Sequence, residues 1–291
     1  MLQVARLAPK LLGDSSALVQ DFYRRQQNPD GGFRDRGGAS DLYYTVFGIE
    51  GLLALQAAPP PSLLSYLDTF GAGETLDFVH VCCLARCRSA LAAAGVTPAP
   101  SGAWSHAVLQ RVEHFRSGDG GYRGQAGSPS GTAYNNFMAL AAYQDLGTRP
   151  PTPERLLQSV AALATPDGAW GNERNLRVGA TNATAAAVTF LRQARQPLPP
   201  AVGDWLLARH NAQGGFLAMP SAPLPDLLST ATALHALAGL ERSVAAIKEA
   251  CLDFVDSLWT NEGGFHGHWG DDLLDCEYTY YGLLALGHLA L

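Results

Sequence analysis

Six residues with ligand or acid–base chemistry, His266, His268, Asp271, Asp272, Asp275 and Glu277, share one short polar run near the C-terminus. Imidazole and carboxylate together suit zinc or a harder divalent ion, depending on geometry. The competing reading is a solvated loop in which Asp275 caps a helix and Glu277 complements its dipole. Asp77 and His80, with Cys83 one turn further on, form a second possible ligand face, although His80 also reads as a buried, partnered histidine. Asp41, Asp226, Asp275 and Glu277 would share a rim where paired carboxylates can serve glycoside hydrolysis. Their recurrence at equivalent positions favours helix capping instead. Arg34, Arg36 and Arg123 are the best-placed anion contacts, with plain exposure as the alternative. Tyr43, Tyr44, Phe47, Tyr134, Tyr278, Tyr280 and Tyr281 fit a packed core, and would also wall a cavity for an isoprenoid chain. No phosphate-binding loop, nucleophile elbow or dinucleotide fingerprint is present.

What must position these residues is a repeat. A Gly-Gly-aromatic turn recurs as Gly31-Gly32-Phe33, Gly120-Gly121-Tyr122, Gly168-Ala169-Trp170, Gly214-Gly215-Phe216 and Gly263-Gly264-Phe265. The aromatics are 89, 48, 46 and 49 residues apart, so the first interval hides a unit, found at Phe70–Gly73 with Asp77 in the place of Asp41. Each of the six units reads helix, turn, helix. The first helices, over 17–27, 63–69, 103–116, 153–164, 201–209 and 244–259, carry a wet face at helical spacing. The second helices open near Asp41, Asp77, Thr132, Thr181, Asp226 and Asp275 and are apolar all round, which predicts burial. Proline clusters at 59–61, 98–100, 150–153 and 197–200 separate one hairpin from the next.

Six hairpins with wet outer and dry inner helices close into a ring around an axial cavity. An open superhelix is the alternative, but it needs polar end units, and Tyr278–Leu291 is as apolar as the middle of the chain. Closure requires the helix from Asp275 to pack on the helix from Asp41. The expectation is one all-α domain over residues 1–291, an α6/α6 toroid.

Of the 291 residues 47% are hydrophobic and only 16% charged, below the usual quarter. A net charge of −6 argues against a nucleic-acid partner. Nothing approaches a membrane-spanning apolar run, and the first residues lack the pattern of a secretory signal. Five cysteines, three crowded at Cys82, Cys83 and Cys87, make no disulfide framework and read as free thiols of a cytoplasmic protein.

A Gly-Gly-Phe or Gly-x-Trp turn before a helix that opens Asp-x-x-x-Thr resembles the prenyltransferase and squalene-cyclase repeat superfamily. Gln27-Asn-Pro-Asp-Gly31-Gly-Phe33 keeps the cyclase turn with Phe for Trp, and Ala164-Thr-Pro-Asp-Gly168-Ala-Trp170 keeps all but the Gln. The likeness spans almost the whole chain as fold and looks nearest to protein prenyltransferase β-subunits. In those, an Asp-x-x-His-Thr segment and an Asp-x-Cys-Tyr segment supply zinc ligands. Asp41–Thr45 and Asp275–Thr279 resemble these segments, with Tyr44 in the imidazole place and Glu277 in the thiolate place. Cys276 is one residue off, turned about 100° away. The diphosphate-binding Arg and Lys correspond roughly to His268 and Asp271. The Asp-x-Asp-Asp acid of class II terpene cyclases is absent; Gly270-Asp271-Asp272 is the nearest run.

The resemblance implies a protein that binds an isoprenoid or other apolar ligand in the axial cavity, with transferase or cyclase chemistry. The alternative is a non-catalytic scaffold that kept the fold and lost the metal. The implied site is Asp275, Glu277 and Tyr44. His268 is a further metal ligand beside Asp275 and Glu277, Arg34, Arg36 and Arg123 contact an anion, and Tyr43, Phe47, Tyr134, Tyr278 and Tyr281 line the ligand. An ordinary zinc site is not expected; the site is either metal-free or weakly filled by a harder divalent ion. An α-subunit-like partner remains open.

Overall fold

A computed structural model describes all residues, 1–291. The inner helices are α4 (Leu42–Ala54), α6 (Phe78–Ala93), α8 (Ala133–Asp145), α10 (Thr181–Gln193), α12 (Leu227–Gly239) and α14 (Cys276–Leu289). Outside them lie α3 (Ser16–Arg25), α5 (Leu63–Asp68), α7 (Gly102–Glu113), α9 (Pro153–Ala161), α11 (Ala201–Leu207) and α13 (Lys248–Ser257). Each inner helix packs on the next, and α14 packs back on α4, so the ring is closed. All inner helices start at the rim that carries the aromatic turns and therefore run parallel. No helix is long and apolar enough to cross a membrane.

The repeat has a hydrogen-bond logic. The backbone N–H of the turn aromatic donates to the side chain four residues past the inner-helix cap. The pairs are Phe33 to Thr45 Oγ1 (3.0 Å), Tyr122 to Asn136 Oδ1 (2.7 Å), Trp170 to Thr184 Oγ1 (3.1 Å), Phe216 to Thr230 Oγ1 (2.9 Å) and Phe265 to Thr279 Oγ1 (3.3 Å). The aromatic ring then presses on the inner helix seven residues past the cap. A Cβ on Gly48 would lie 2.4 Å from the Phe33 ring, and one on Gly282 2.7 Å from Phe265. These glycines face their own turns, not each other. The first glycine of each turn sits at positive φ, +99° at Gly31 and +87° at Gly263, where a side chain is strained.

Asp41, Asp77, Thr132, Asp226 and Asp275 cap their helices through side-chain oxygens. Unit four departs from expectation. Its cap position is Ala180, and Thr181 is already helical, donating Oγ1–H to the Leu217 carbonyl at 2.6 Å. The outer helix expected over 244–259 is a 3₁₀ turn (Ala245–Ile247) followed by α13. Phe216–Leu217 (β1) and Pro225–Asp226 (β2) form a minimal antiparallel ladder.

Two short helices escape the repeat, α1 (Leu2–Ala5) and α2 (Pro9–Leu12). Helix α1 packs on α14 and α4, and a Cβ on Gly287 would lie 2.1 Å from the Val4 carbonyl oxygen. Glycine there lets α1 lie over the far end of the ring. All five cysteines are free and buried.

Candidate functional site

The ring encloses a cavity of about 440 Å³. Its rim-side half is aromatic: Tyr43, Phe47, Tyr134, Phe137, Tyr280 and Tyr281 line it. Phe47 organises this wall, with ring centroids 5.0 Å from Tyr43, 5.6 Å from Tyr281 and 5.8 Å from Tyr280. Tyr43, Phe47, Tyr134 and Tyr281 therefore stand where an apolar ligand would meet them. Tyr278 does not line the cavity: it lies beneath the Arg36 guanidinium, 5.1 Å from ring centroid to Cζ.

Glu277 is one hydrogen bond from that wall, its Oε1 accepting the Tyr43 hydroxyl at 2.5 Å. Burial pushes the Glu277 carboxyl up to about 7, against the pull of the Tyr43 hydrogen bond. A carboxyl that keeps its proton near neutral pH can donate it. Tyr44 feels both Asp275 and Glu277, and burial first among these effects raises it to about 12. It opens on a separate rim groove of about 500 Å³ with Asp41, Asp77 and His80.

Asp275 is turned away from this chemistry. It is 2% exposed, accepts the Tyr278 N–H at 2.8 Å, and takes Arg36 Nε at 2.6 Å. Arg36 also holds Asp271 at 2.8 Å, so it ties the last unit to the first rather than waiting for an anion. Arg123 is likewise paired, with Glu173 at 2.9 Å. Arg34 leaves its Nε buried without a partner, beside Cys276 and outside the cavity lining.

The residues present do not fit the zinc implied by the resemblance. Asp275 is bound to Arg36, Glu277 to Tyr43, and His268 Nδ1 accepts the Gly270 N–H within its own loop at 3.1 Å. No three His, Cys, Asp or Glu side chains converge as metal ligands. The Asp77, His80 and Cys83 face also divides. Cys83 lines the cavity, while His80 lies between Asp41 (2.9 Å) and Asp77 (2.8 Å). The hydrogen bond to Asp41 raises the imidazole to about 9, outweighing burial, so it is an imidazolium held by two carboxylates.

The cavity floor was not anticipated. Glu50, 4% exposed, accepts Arg86 Nε, and Arg86 Nη1 donates to Asp145 at 2.6 Å. Burial raises Asp145 despite the guanidinium. His235 also faces this end and stacks edge-on with His288, Nδ1 to Nε2 at 3.0 Å. Burial drives both imidazoles down, to about 3 and about 4, so both are neutral. A signal was available at Glu50, the one charge in the apolar helix α4; Arg86 shares α6 with His80 and Arg88 and stood out less.

Comparison with known proteins places this geometry in a context. The family model for the prenyltransferase alpha-alpha toroid domain matches residues 6–84 and 184–290, well over half of the chain. Among solved structures, a protein from Actinoplanes superposes with TM-score 0.67 at 17% identity, covering 96% of this chain and 99% of that one. The type II terpene cyclase MstE from Scytonema, in complex with merosterolic acid A, has TM-score 0.60 at 16% identity, with 97% of each chain covered. An α-1,6-mannanase of Salegentibacter, in complex with α-1,6-mannotriose, has TM-score 0.63 at 13% identity, covering 96% and 98%. At such identities the likeness is one of fold. No curated protein sequence matches.

Proposed function

The chain belongs to the prenyltransferase alpha-alpha toroid domain family, and from that premise we propose that its axial cavity binds a linear isoprenoid-like chain for acid-initiated, cyclase-type chemistry. The observation that carries this reading is a protonatable carboxyl, Glu277, hydrogen-bonded to a phenol in an aromatic cavity wall. Aromatic faces suit an apolar polyene and attract the positive charge that protonation creates on it. The Tyr43 hydroxyl swings its proton from Glu277 to a double bond, and the protonated Glu277 carboxyl turns its own O–H to the Tyr43 oxygen and replaces that proton. The double bond that takes it becomes a carbocation, ring closure moves the charge along the chain, and loss of a proton ends the sequence. MstE, whose structures are described with a geranylgeranyl dihydroxybenzoate substrate, shares this fold. Zinc-dependent thiol prenylation is not part of the proposal, because the ligand set does not converge.

The test is incubation of the intact chain with linear polyprenyl alcohols, phenols and epoxides, followed by mass-spectrometric analysis of products and by fluorescence titration for binding. Cyclised product that falls at least a hundredfold in Glu277→Gln, with binding kept, is the expected result. Binding without turnover would leave a carrier or scaffold. No binding of any polyprenyl compound would overturn the reading.

A further inference from the structure

We infer that the cavity selects an isoprenoid whose head is uncharged, an alcohol or phenol, and rejects the diphosphate ester of the same chain, with Glu50 and Asp145 setting that choice. The inference rests on the cavity being the ligand site, as proposed above, and adds the substrate class.

A diphosphate brings two or more negative charges, and burying it requires cations or N–H donors free to meet it. Arg86 is the one cationic side chain lining the cavity. Its Nε is held by Glu50 and its Nη1 by Asp145 at 2.6 Å. Two carboxylates on one guanidinium leave no positive charge over for an anion. The Met1 amino group also reaches this end, but burial lowers its proton affinity, and Glu50 is the strongest charge acting on it. His235 is neutral there.

The rim end offers no more. His80 is clamped by Asp41 and Asp77, and Arg36 by Asp271 and Asp275. The carboxyl nearest the aromatic wall, Glu277, would repel a diphosphate whenever it ionises. Repulsion between buried charges is weakly screened, so a surplus of one acid is enough to discriminate. A hydroxyl head meets none of these penalties. It can donate to Asn182 Oδ1, which already takes the Thr232 hydroxyl at 2.8 Å, and accept from Asn182 Nδ2; both residues face the cavity.

The experiment compares geranylgeraniol with geranylgeranyl diphosphate on the intact chain by fluorescence titration. The alcohol should bind at least tenfold more tightly. Asp145→Asn keeps the shape, removes the surplus acid and frees Arg86 Nη1 while Glu50 still holds Nε; it should strengthen diphosphate binding at least tenfold and leave the alcohol within about threefold. Glu50→Gln provides the same test if Asp145→Asn unfolds, as judged by circular dichroism. Diphosphate bound as tightly as the alcohol, or a ratio unmoved by the folded variants, would overturn the inference while leaving the cavity reading intact. Binding of neither ligand would remove both.

Discussion

Glu277 shows how one position can carry two meanings. Its place in the sequence corresponds to a thiolate ligand, yet in the fold it is a partly buried acid facing a phenol. Its folded pKa of about 7 lies above the ordinary 4.5 because burial disfavours the carboxylate. Between those values the native state holds a proton that the unfolded chain has released. Stability from this group is therefore complete below about pH 4.5 and lost as pH rises through 7. Replacing it with Gln should make the chain more stable than wild type at pH 8, by up to about 3 kcal/mol, and leave the two nearly equal at pH 4. Urea unfolding of both proteins at several pH values measures this. Since His80 titrates identically in both, a difference independent of pH would refute the raised acid.

At the scale of the element, the turn is the unit of design. Thr45 and Thr279 accept the turn aromatic's N–H, and Gly48 and Gly282 make room for its ring. The preceding glycine sets the direction of the chain. Gly263 combines φ of +87° with a site where a Cβ would lie 2.2 Å from the Leu18 carbonyl oxygen of the first outer helix. Backbone cannot step aside as a flexible side chain can. Gly263→Ala should lower stability by about 1–3 kcal/mol, read as a lower urea midpoint with an unchanged slope. Wild-type stability in the variant would mean that this turn does not brace the ring.

For the whole molecule, closure depends on the seam between the last unit and the first. Apolar packing of α14 on α4 makes most of it, and Arg36 adds the ion pairs to Asp271 and Asp275. Asp275 is 2% exposed, so removing its guanidinium leaves a buried charge unpaired. Arg36→Met should cost about 3–5 kcal/mol at pH 8. The loss should shrink at pH 5, where the unpaired Asp275 takes a proton in the folded state. Equal losses at the two pH values would show that Arg36 acts through packing on Tyr278 instead.

Periodicity and composition determined the hairpins, the caps at Asp41, Asp77, Thr132, Asp226 and Asp275, the buried inner helices and the ring, because these follow from local hydrogen bonding and from which faces must leave water. Tertiary structure alone decided which polar groups met. Arg36 reached across 239 residues to Asp275, and His80 across 39 to Asp41. Glu50 and Asp145, far apart in the chain, share the guanidinium of Arg86. A sequence shows that Asp275, Glu277 and His268 have ligand chemistry; whether they converge depends on helix rotation and loop course. Those are set by packing between units, and here packing gave Asp275 to an arginine, Glu277 to a tyrosine and His268 to its own loop.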